Sequence, residues 1–313
     1  MTTVTRLDTG TLPVVDLTDV RRQVAGSLDR TAAEVRQALT NVGFFSIVGH
    51  GVDWAQVDDI YEQAARYHSL PIEIRTGHTM SSSRMGYNPL GAAQKGERLP
   101  ALNAAFFFAR PGSNRNQLPT EDELPGFATA VSDFYRVMDE VGQIMLDLYA
   151  VAAGMPAVYF HQFFDPALAT LRLTHYPPLP AAHDQWGIDP HSDAGFMTML
   201  PANPVAGLCI KPDGGDWFEV EQEPESFVVN AGDMLRRWSN DRFLSTTHRA
   251  LNRSDIDRYA IPYFFDPRPD TIIDVLPSMI DDEHPKRHDA LVYRDYLSAF
   301  MADGYAAVRD NRD

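Results

Sequence analysis

The chain has 313 residues, 44% hydrophobic and 11% aromatic, a composition that suits a large buried core and excludes a disordered chain. Its formal net charge of -16 argues against nucleic acid and anionic membranes as partners, because both attract clustered Lys and Arg. The single cysteine, Cys209, excludes an intrachain disulfide and a thiolate zinc cluster, and we expect a reducing, cytoplasmic setting.

The first half of the sequence predicts helices separated by short strands. Hydrophobic periodicity and local capping signals define these elements. In chain order they are a brief strand at LPVVDL (12–17), a helix that a capping box of Thr31 and Glu34 opens, a buried strand at GFFSIVGHG (43–51), a helix capped by Asp53, a loop at 81–97 and a long amphipathic helix from about Phe127.

After Leu171 short apolar segments alternate with turn residues, a pattern typical of a β-sandwich or barrel. The segments are LRLTHY, GFMTML, GLCIKP, WFEVEQ, SFVVNAG, STTHRAL and RYAIPYFF. We predict a single domain over residues 1–313, mainly β with flanking helices. Its parts are a helical N-terminal region with short strands (about 1–120), a long supporting helix (about 121–160), a two-sheet β core (about 170–268) and a C-terminal helix (about 288–310).

A metal site is predicted from DPHSDAGFMTML. Residues two apart on a strand point to the same face, so His191 and Asp193 could contact one ion. A third ligand must come from another segment, and His248 in STTHRAL is the best candidate. Two imidazoles and one carboxylate form the facial triad of non-haem Fe(II) oxygenases. The alternative is a polar surface turn that binds nothing.

Arg258 lies ten residues after His248 and opens the apolar segment RYAIPYFF. A guanidinium binds a carboxylate through two parallel hydrogen bonds. A dicarboxylate that chelates the metal through a 2-oxo acid group could therefore place its other end on Arg258. The alternative is an ordinary surface salt bridge. For Asn230, Asp233 and Asn240, which lie near the ligand segments, the sequence favours structural turn roles.

Several ordered motifs resemble one family. HSDAGFMTML, FVVNAGDMLRRWSNDRFLSTTHRALN and DRYAIPYFFDP are similar to the 2-oxoglutarate- and Fe(II)-dependent oxygenases of the isopenicillin N synthase-like group. LPVVDL, VGFFSIVGHGV and LRLTHYPP resemble that group's N-terminal region and its tyrosine-proline segment, so the likeness runs from about residue 12 to 300.

The resemblance implies a double-stranded β-helix (jelly-roll) core and Fe(II) bound by the predicted triad, with 2-oxoglutarate and O2 as cosubstrates. It also implies that Arg258 binds the distal carboxylate of 2-oxoglutarate with help from Tyr176. Two positions depart from the family pattern: Ala260 stands where the family has serine, and Thr174 where it has asparagine. Residues 258 and 260 share a strand face, so we expect weaker cosubstrate binding unless a water or Thr174 compensates.

The substrate is predicted less sharply. The family often lines its pocket with the segments around 84–90 and AAFFFARP (104–111), which suggests a small, largely apolar organic substrate. The candidate pocket residues are Met85, Tyr87, Leu90, Phe106 and Phe108, with Arg237 as a possible partner for a substrate carboxylate. For the aromatic residues the alternative is ordinary core packing.

Two other functions stay open at this point. One is a 2-oxoglutarate-independent Fe(II) oxidase of the isopenicillin N synthase kind, which Ala260 favours. The other is a non-catalytic jelly-roll that binds a ligand or a structural metal. The sequence leaves open hydroxylation, desaturation or cyclisation as the reaction, and it does not indicate the oligomeric state.

Overall fold

The computed structural model describes residues 9–80, 84–92, 99–182 and 184–300. The first half contains β1 (Thr9–Thr11), β2 (Val14–Asp16), α1 (Thr18–Arg21), α2 (Ser27–Asn41), β3 (Phe44–Val48), α3 (Trp54–His68), α4 (Ile72–Gly77), β4 (Gly86–Asn88), β5 (Ala104–Ala109) and α5 (Phe127–Ala152). The second half contains β6 (Leu168–Tyr176), β7 (Ile188–His191), β8 (Met197–Pro201), β9 (Leu208–Lys211), β10 (Phe218–Glu221), β11 (Phe227–Ala231), α6 (Asp233–Trp238), β12 (Thr247–Ala250), β13 (Arg258–Ala260), β14 (Tyr263–Asp266), β15 (Ile272–Ile273) and β16 (Leu291–Val292). Short 3-10 turns cover Ala157–Tyr159, His161–Phe163 and Pro277–Met279.

Two sheets form the core. The smaller has the strand order β1-β10-β9-β12-β7, and the larger has the order β2-β3-β11-β8-β14-β6-β5-β4, with β13 also paired to β6. Apolar side chains from both sheets meet between them, including Ile210 and Val220 from the smaller sheet and Phe44 and Val228 from the larger. The predicted jelly-roll with flanking helices is confirmed.

The other face of the larger sheet is covered by α2, α3 and α5. Phe45 of β3 packs on this helical side, whereas its neighbour Phe44 packs between the sheets. In β6 the residues Leu171 and Leu173 also face the helices. Because side chains alternate along a strand, the residue between them, Arg172, faces the interior of the jelly-roll.

Strands from the first 110 residues complete the larger sheet. β2 and β3 extend one edge, and β4 and β5 extend the other beside β6. The predicted helical N-terminal region with short strands therefore contributes directly to the larger sheet, which carries Arg258 on β13 and Tyr176 on β6. The segment RYAIPYFF, predicted as one strand, forms two strands because Pro262 has no N–H to donate and interrupts the ladder.

The structure confirms two of the three helix starts predicted from local sequence signals. Asp53 accepts a hydrogen bond from the Ala55 N–H at 3.0 Å, so its predicted capping role is confirmed. The predicted start at Phe127 is also confirmed. The capping box at Thr31 is wrong: the helix begins four residues earlier, after Gly26 with φ +71°, and Thr31 is buried inside it.

The C-terminal prediction is met in part. Residues 291–292 form β16 rather than helix, residues 293–300 are helical, and the rest of the predicted helix lies outside the described residues. The loop predicted at 81–97 contains β4, while 81–83 and 93–98 are not described. Within the described ranges no single helix has the length and apolarity to cross a membrane; only α5 joined to the turns at 157–163, bent by 118°, reaches those limits as a pair.

Candidate metal centre and cosubstrate site

The predicted triad comes together at the edge of the smaller sheet that β7 forms. His191 is the last residue of β7 and lies directly opposite His248 of β12 in the strand register. Asp193 Oδ1 lies 3.6 Å from His191 Nε2 and 3.7 Å from His248 Nε2, and all three ligand atoms lie within 4.8 Å of one another. Asp193 is not on the strand, as the sequence suggested, but in the turn two residues beyond its end.

Backbone carbonyls orient both imidazoles. His191 Nδ1 lies 2.8 Å from the Asp189 carbonyl oxygen, and His248 Nδ1 lies 3.2 Å from that of Thr246. A carbonyl oxygen can only accept, so each Nδ1 carries the hydrogen and each Nε2 presents a lone pair toward Asp193. This arrangement is the usual support for histidine ligands to a metal.

Asp193 is fixed by two side-chain donors. Its Oδ2 accepts from Thr198 Oγ1 at 2.6 Å and from Asn230 Nδ2 at 2.8 Å, which leaves Oδ1 directed at the imidazoles. Burial acts to raise the pKa of Asp193, but His248, His191 and the two hydrogen bonds outweigh it, and the pKa is lowered. The carboxylate is therefore held ionised and in one orientation, as a metal ligand requires.

The polar residues near the ligand strands differ in role. The predicted turn role is wrong for Asn230, which lies on β11 and holds a predicted metal ligand. Asp233 accepts from Ser192 Oγ and from the Tyr296 hydroxyl, both at 3.2 Å. Asn240 has φ +57° and donates to carbonyl oxygens of the segment 279–285, a structural role.

A second polar group lies on the facing strands β6 and β13. Arg258 is opposite Tyr176, and Ala260 is opposite Thr174. Arg258 is 1% exposed; its Nε donates to the Val205 carbonyl oxygen at 3.0 Å and its guanidinium lies 4.9 Å from the Tyr176 ring centre. A surface salt bridge is thus excluded for Arg258.

This polar group fits an anionic ligand. Arg258 Nη1 and Thr174 Oγ1 are both buried, and neither has a hydrogen-bond partner within the part of the chain that the structure describes. Unsatisfied buried donors are costly, which indicates that a ligand completes them. The donor set of the triad fits Fe(II), and Arg258 with its neighbours fits the distal carboxylate of 2-oxoglutarate.

Sequence reasoning missed Arg172. Its Nη2 donates to Asn103 Oδ1 at 2.9 Å and its guanidinium lies 5.2 Å from the Phe107 ring centre. Its charge acts on His191, whose pKa is lowered to about 4 by burial first, then by His248 and, among smaller causes, by Arg172. The available signal was parity: in LRLTHY, Arg172 is four residues before Tyr176 and therefore on the same strand face.

Three of the six predicted substrate residues, Phe106, Phe108 and Tyr87, lie in the helical core. Phe106 and Phe108 pack in the helical core against Phe127 and Tyr135, so their assignment to the pocket is wrong. Phe107 is the one that faces the interior. The reason is the covering of the larger sheet by helices, which fixes the inward face of β5 and is not visible in the segment itself.

Of the other substrate candidates, one lies in the helical core and the rest remain untested. Tyr87 is in the same core, with its hydroxyl accepting from Arg75 at 2.9 Å, so its assignment to the pocket is wrong as well. Arg237 donates to the Asp289 carbonyl oxygen at 2.5 Å and thus holds the segment before the last helix. Met85 is 5% exposed and Leu90 is 47% exposed; a substrate role for these two and for Arg237 stays a prediction.

Comparison with known proteins agrees with this site. The description "2OG-Fe(II) oxygenase superfamily" matches residues 167–267, and "non-haem dioxygenase in morphine synthesis N-terminal" matches residues 12–125. The 2-oxoglutarate-dependent dioxygenase citB of Monascus ruber is 31% identical over 280 residues, which cover 82% of this chain and 84% of that protein. A 2-oxoglutarate-dependent dioxygenase of Didymella fabae is 32% identical over 301 residues, covering 84% and 87%.

The fold is shared with solved structures. A full-length Neurospora crassa protein in complex with alpha-KG and thymine superposes with a TM-score of 0.86 at 24% identity, covering 93% of this chain and 96% of that one. The chain therefore belongs to the 2-oxoglutarate- and Fe(II)-dependent oxygenases. It is a dioxygenase that uses Fe(II), 2-oxoglutarate and O2, and neither the cosubstrate-independent oxidase nor the binding module is favoured.

Proposed function

We propose that this dioxygenase oxidises a small organic anion, such as a carboxylate, whose charge is held by Arg172 next to the metal-binding triad. The observation that carries the proposal is the position of Arg172. It lies on the interior face of β6, its charge acts on His191, and its Nε is buried with no hydrogen-bond partner among the residues described.

The neighbours of Arg172 support an anchoring role. Asn103 is 2% exposed and holds Nη2, while its own Nδ2 donates to the Gly187 carbonyl oxygen at 2.5 Å. Phe107 lies against the guanidinium. The guanidinium is thus fixed in place with donor capacity to spare, which is the state in which arginine binds a carboxylate most specifically.

The chemistry follows from the family. When bound, iron and 2-oxoglutarate supply the oxidising power: O2 and 2-oxoglutarate are consumed, succinate and CO2 are released, and in a hydroxylation a substrate C–H becomes C–OH. The residues of this chain hold the ligands and the substrate. Arg172 fixes one end of the substrate so that a C–H bond some ångströms away faces the triad, and Phe107 packs against its apolar part.

The proposal is tested with matched pairs of small carboxylic acids and their neutral amides. Substrate-stimulated formation of succinate is measured for wild type and for Arg172→Met, with Arg172→Lys as the variant that keeps the charge. The acids should stimulate wild type, and Arg172→Met should raise their KM roughly ten- to a hundredfold, the effect of losing a hydrogen bond to a charged group.

The control is the anaerobic Kd for 2-oxoglutarate, which should stay within about twofold in Arg172→Met if the arginine serves the substrate. Equal stimulation by acids and amides, with an unchanged KM in Arg172→Met, would show that Arg172 does not select an anion.

A further inference from the structure

We propose that Thr174 replaces the serine that the family places at position 260: its hydroxyl donates to the distal carboxylate of 2-oxoglutarate beside Arg258. This chain would then have moved one hydroxyl from β13 to the adjacent strand β6. The inference rests on the family's cosubstrate and not on the proposed substrate.

The strand register places Thr174 next to position 260. Thr174 lies directly opposite Ala260, and Tyr176 directly opposite Arg258, in the antiparallel pair of β6 and β13. Directly opposite residues share a face and have Cβ atoms about 4.5–5.5 Å apart. A hydroxyl on Thr174 therefore reaches the space over Ala260 that a serine hydroxyl would occupy.

Burial and missing hydrogen-bond partners indicate a ligand at this position. Thr174 is fully buried and Ala260 is 3% exposed, so neither is a surface position. In the described ranges Thr174 Oγ1 has no hydrogen-bond partner, and the same holds for Nη1 of Arg258 on the facing strand. Two buried donors without acceptors on one small patch are explained together by a single anion, since a carboxylate has two oxygens to accept both.

Val205 and Gly207 lie against Arg258 and restrict the position of its guanidinium. Arg258 Nε is occupied by the Val205 carbonyl oxygen, which aims the rest of the guanidinium. A Cβ at Gly207 would come within 3.0 Å of Arg258 Nε, so the loop after β8 lies close over the arginine. Among the described residues, Arg258 Nη1 and Thr174 Oγ1 are thus the donors of this patch that stay available to a ligand.

The experiment measures binding and not turnover. The Kd of 2-oxoglutarate for the Fe(II)-loaded protein is determined without oxygen, from the visible absorption band that forms on binding. Thr174→Val removes the hydroxyl at nearly constant volume, and Thr174→Ser keeps it. We expect Thr174→Val to weaken binding roughly ten- to a hundredfold and Thr174→Ser to stay within a few-fold of wild type.

A double variant tests the exchange of positions. Thr174→Val combined with Ala260→Ser should recover most of the lost affinity, whereas Ala260→Ser in the wild-type background should gain less than it gains together with Thr174→Val. Should Thr174→Val fail to fold, Thr174→Ala is measured in the same way, with far-ultraviolet circular dichroism and metal affinity as checks of the fold.

A ligand that lacks the distal carboxylate shows which end of 2-oxoglutarate the Thr174 hydroxyl contacts. 2-Oxobutyrate has the 2-oxo acid group but no distal carboxylate, so its affinity should be nearly the same in wild type and Thr174→Val. An unchanged Kd for 2-oxoglutarate in Thr174→Val would overturn the proposal. Equal weakening for both ligands would overturn it too, because the hydroxyl would then act at the other end of the cosubstrate or on the fold.

Discussion

Asp193 is the ligand whose position depends most on its neighbours, and Thr198→Val is the change that tests this. The variant removes the hydroxyl that donates to Asp193 Oδ2 at 2.6 Å, while the shape of the side chain is nearly kept. Asn230 still donates to the same oxygen at 2.8 Å, so the carboxylate is loosened but not released. Thr198→Ser keeps the donor and is the control.

Two effects are expected, one on the stability of the metal-free protein and one on metal affinity. In the metal-free protein one hydrogen bond to a buried charge is lost, which lowers the free energy of unfolding by roughly 1.5–3 kcal/mol. Metal affinity falls about ten- to a hundredfold, the usual cost of removing a partner that orients a ligand, because Asp193 must then be ordered when the ion binds. Removal of the donor also raises the pKa of Asp193, so protons compete better with the metal.

The assay is anaerobic titration of Fe(II), or of Mn(II) with electron paramagnetic resonance to count free ions, without 2-oxoglutarate so that its binding does not mask the loss. Asn230→Ala should behave like Thr198→Val, and the double variant should bind metal more weakly than either. If both single variants bind within about twofold of wild type, the hydrogen bonds do not orient the ligand and the reasoning fails.

Two further predictions concern stability. Burial raises the pKa of Asp266 to about 7 in the folded protein. The unfolded chain has an ordinary pKa near 4, so between these pH values the folded protein binds a proton that the unfolded chain releases. The free energy of unfolding therefore falls by roughly 4 kcal/mol as pH rises from about 4 to 7. Urea unfolding at pH 5 and 7.5 should therefore show Asp266→Asn gaining on wild type at the higher pH, and a parallel pH dependence contradicts this. Asp53→Ala should lower the free energy of unfolding by about 1 kcal/mol through loss of the helix cap, while Asp53→Asn stays close to wild type.

The metal ligands could be predicted from the sequence because their signal is local. His191 and Asp193 are two residues apart, and His248 and Arg258 lie in segments with clear strand patterns. Residue type and spacing suggested the triad, and the resemblance of several ordered motifs to one family favoured it over a polar surface turn. The strand-face argument was less sound, since Asp193 lies in a turn. The triad forms all the same because the strand register places His191 opposite His248, and a turn can bring a carboxylate to the same point.

The substrate side could not be predicted in this way, because it depends on which face of the sheet the helices cover. The strand part of AAFFFARP is a continuous apolar run, so nothing inside the segment tells whether Phe107 or its two neighbours face the interior. Tyr67 and Phe127, from two different helices, decide it by packing on Phe106. Arg172 could have been found by carrying the parity of Tyr176 back along β6, which needs one known inward residue and no tertiary contact.

Three residues on the interior face of β6 lie in a row between the metal triad and Arg258. Residues two apart on a strand are separated by about 6.6–6.8 Å, so Arg172, Thr174 and Tyr176 span about 13 Å along one line. Arg172 acts on His191 at one end, and Tyr176 lies against Arg258 at the other. If both proposals hold, the two arginines at opposite ends of this line form two separate anion sites in a chain whose net charge is -16. A dicarboxylate cosubstrate and an anionic substrate would then bind together without competing for one guanidinium, and the proposed contact of Thr174 would set how tightly the cosubstrate is held.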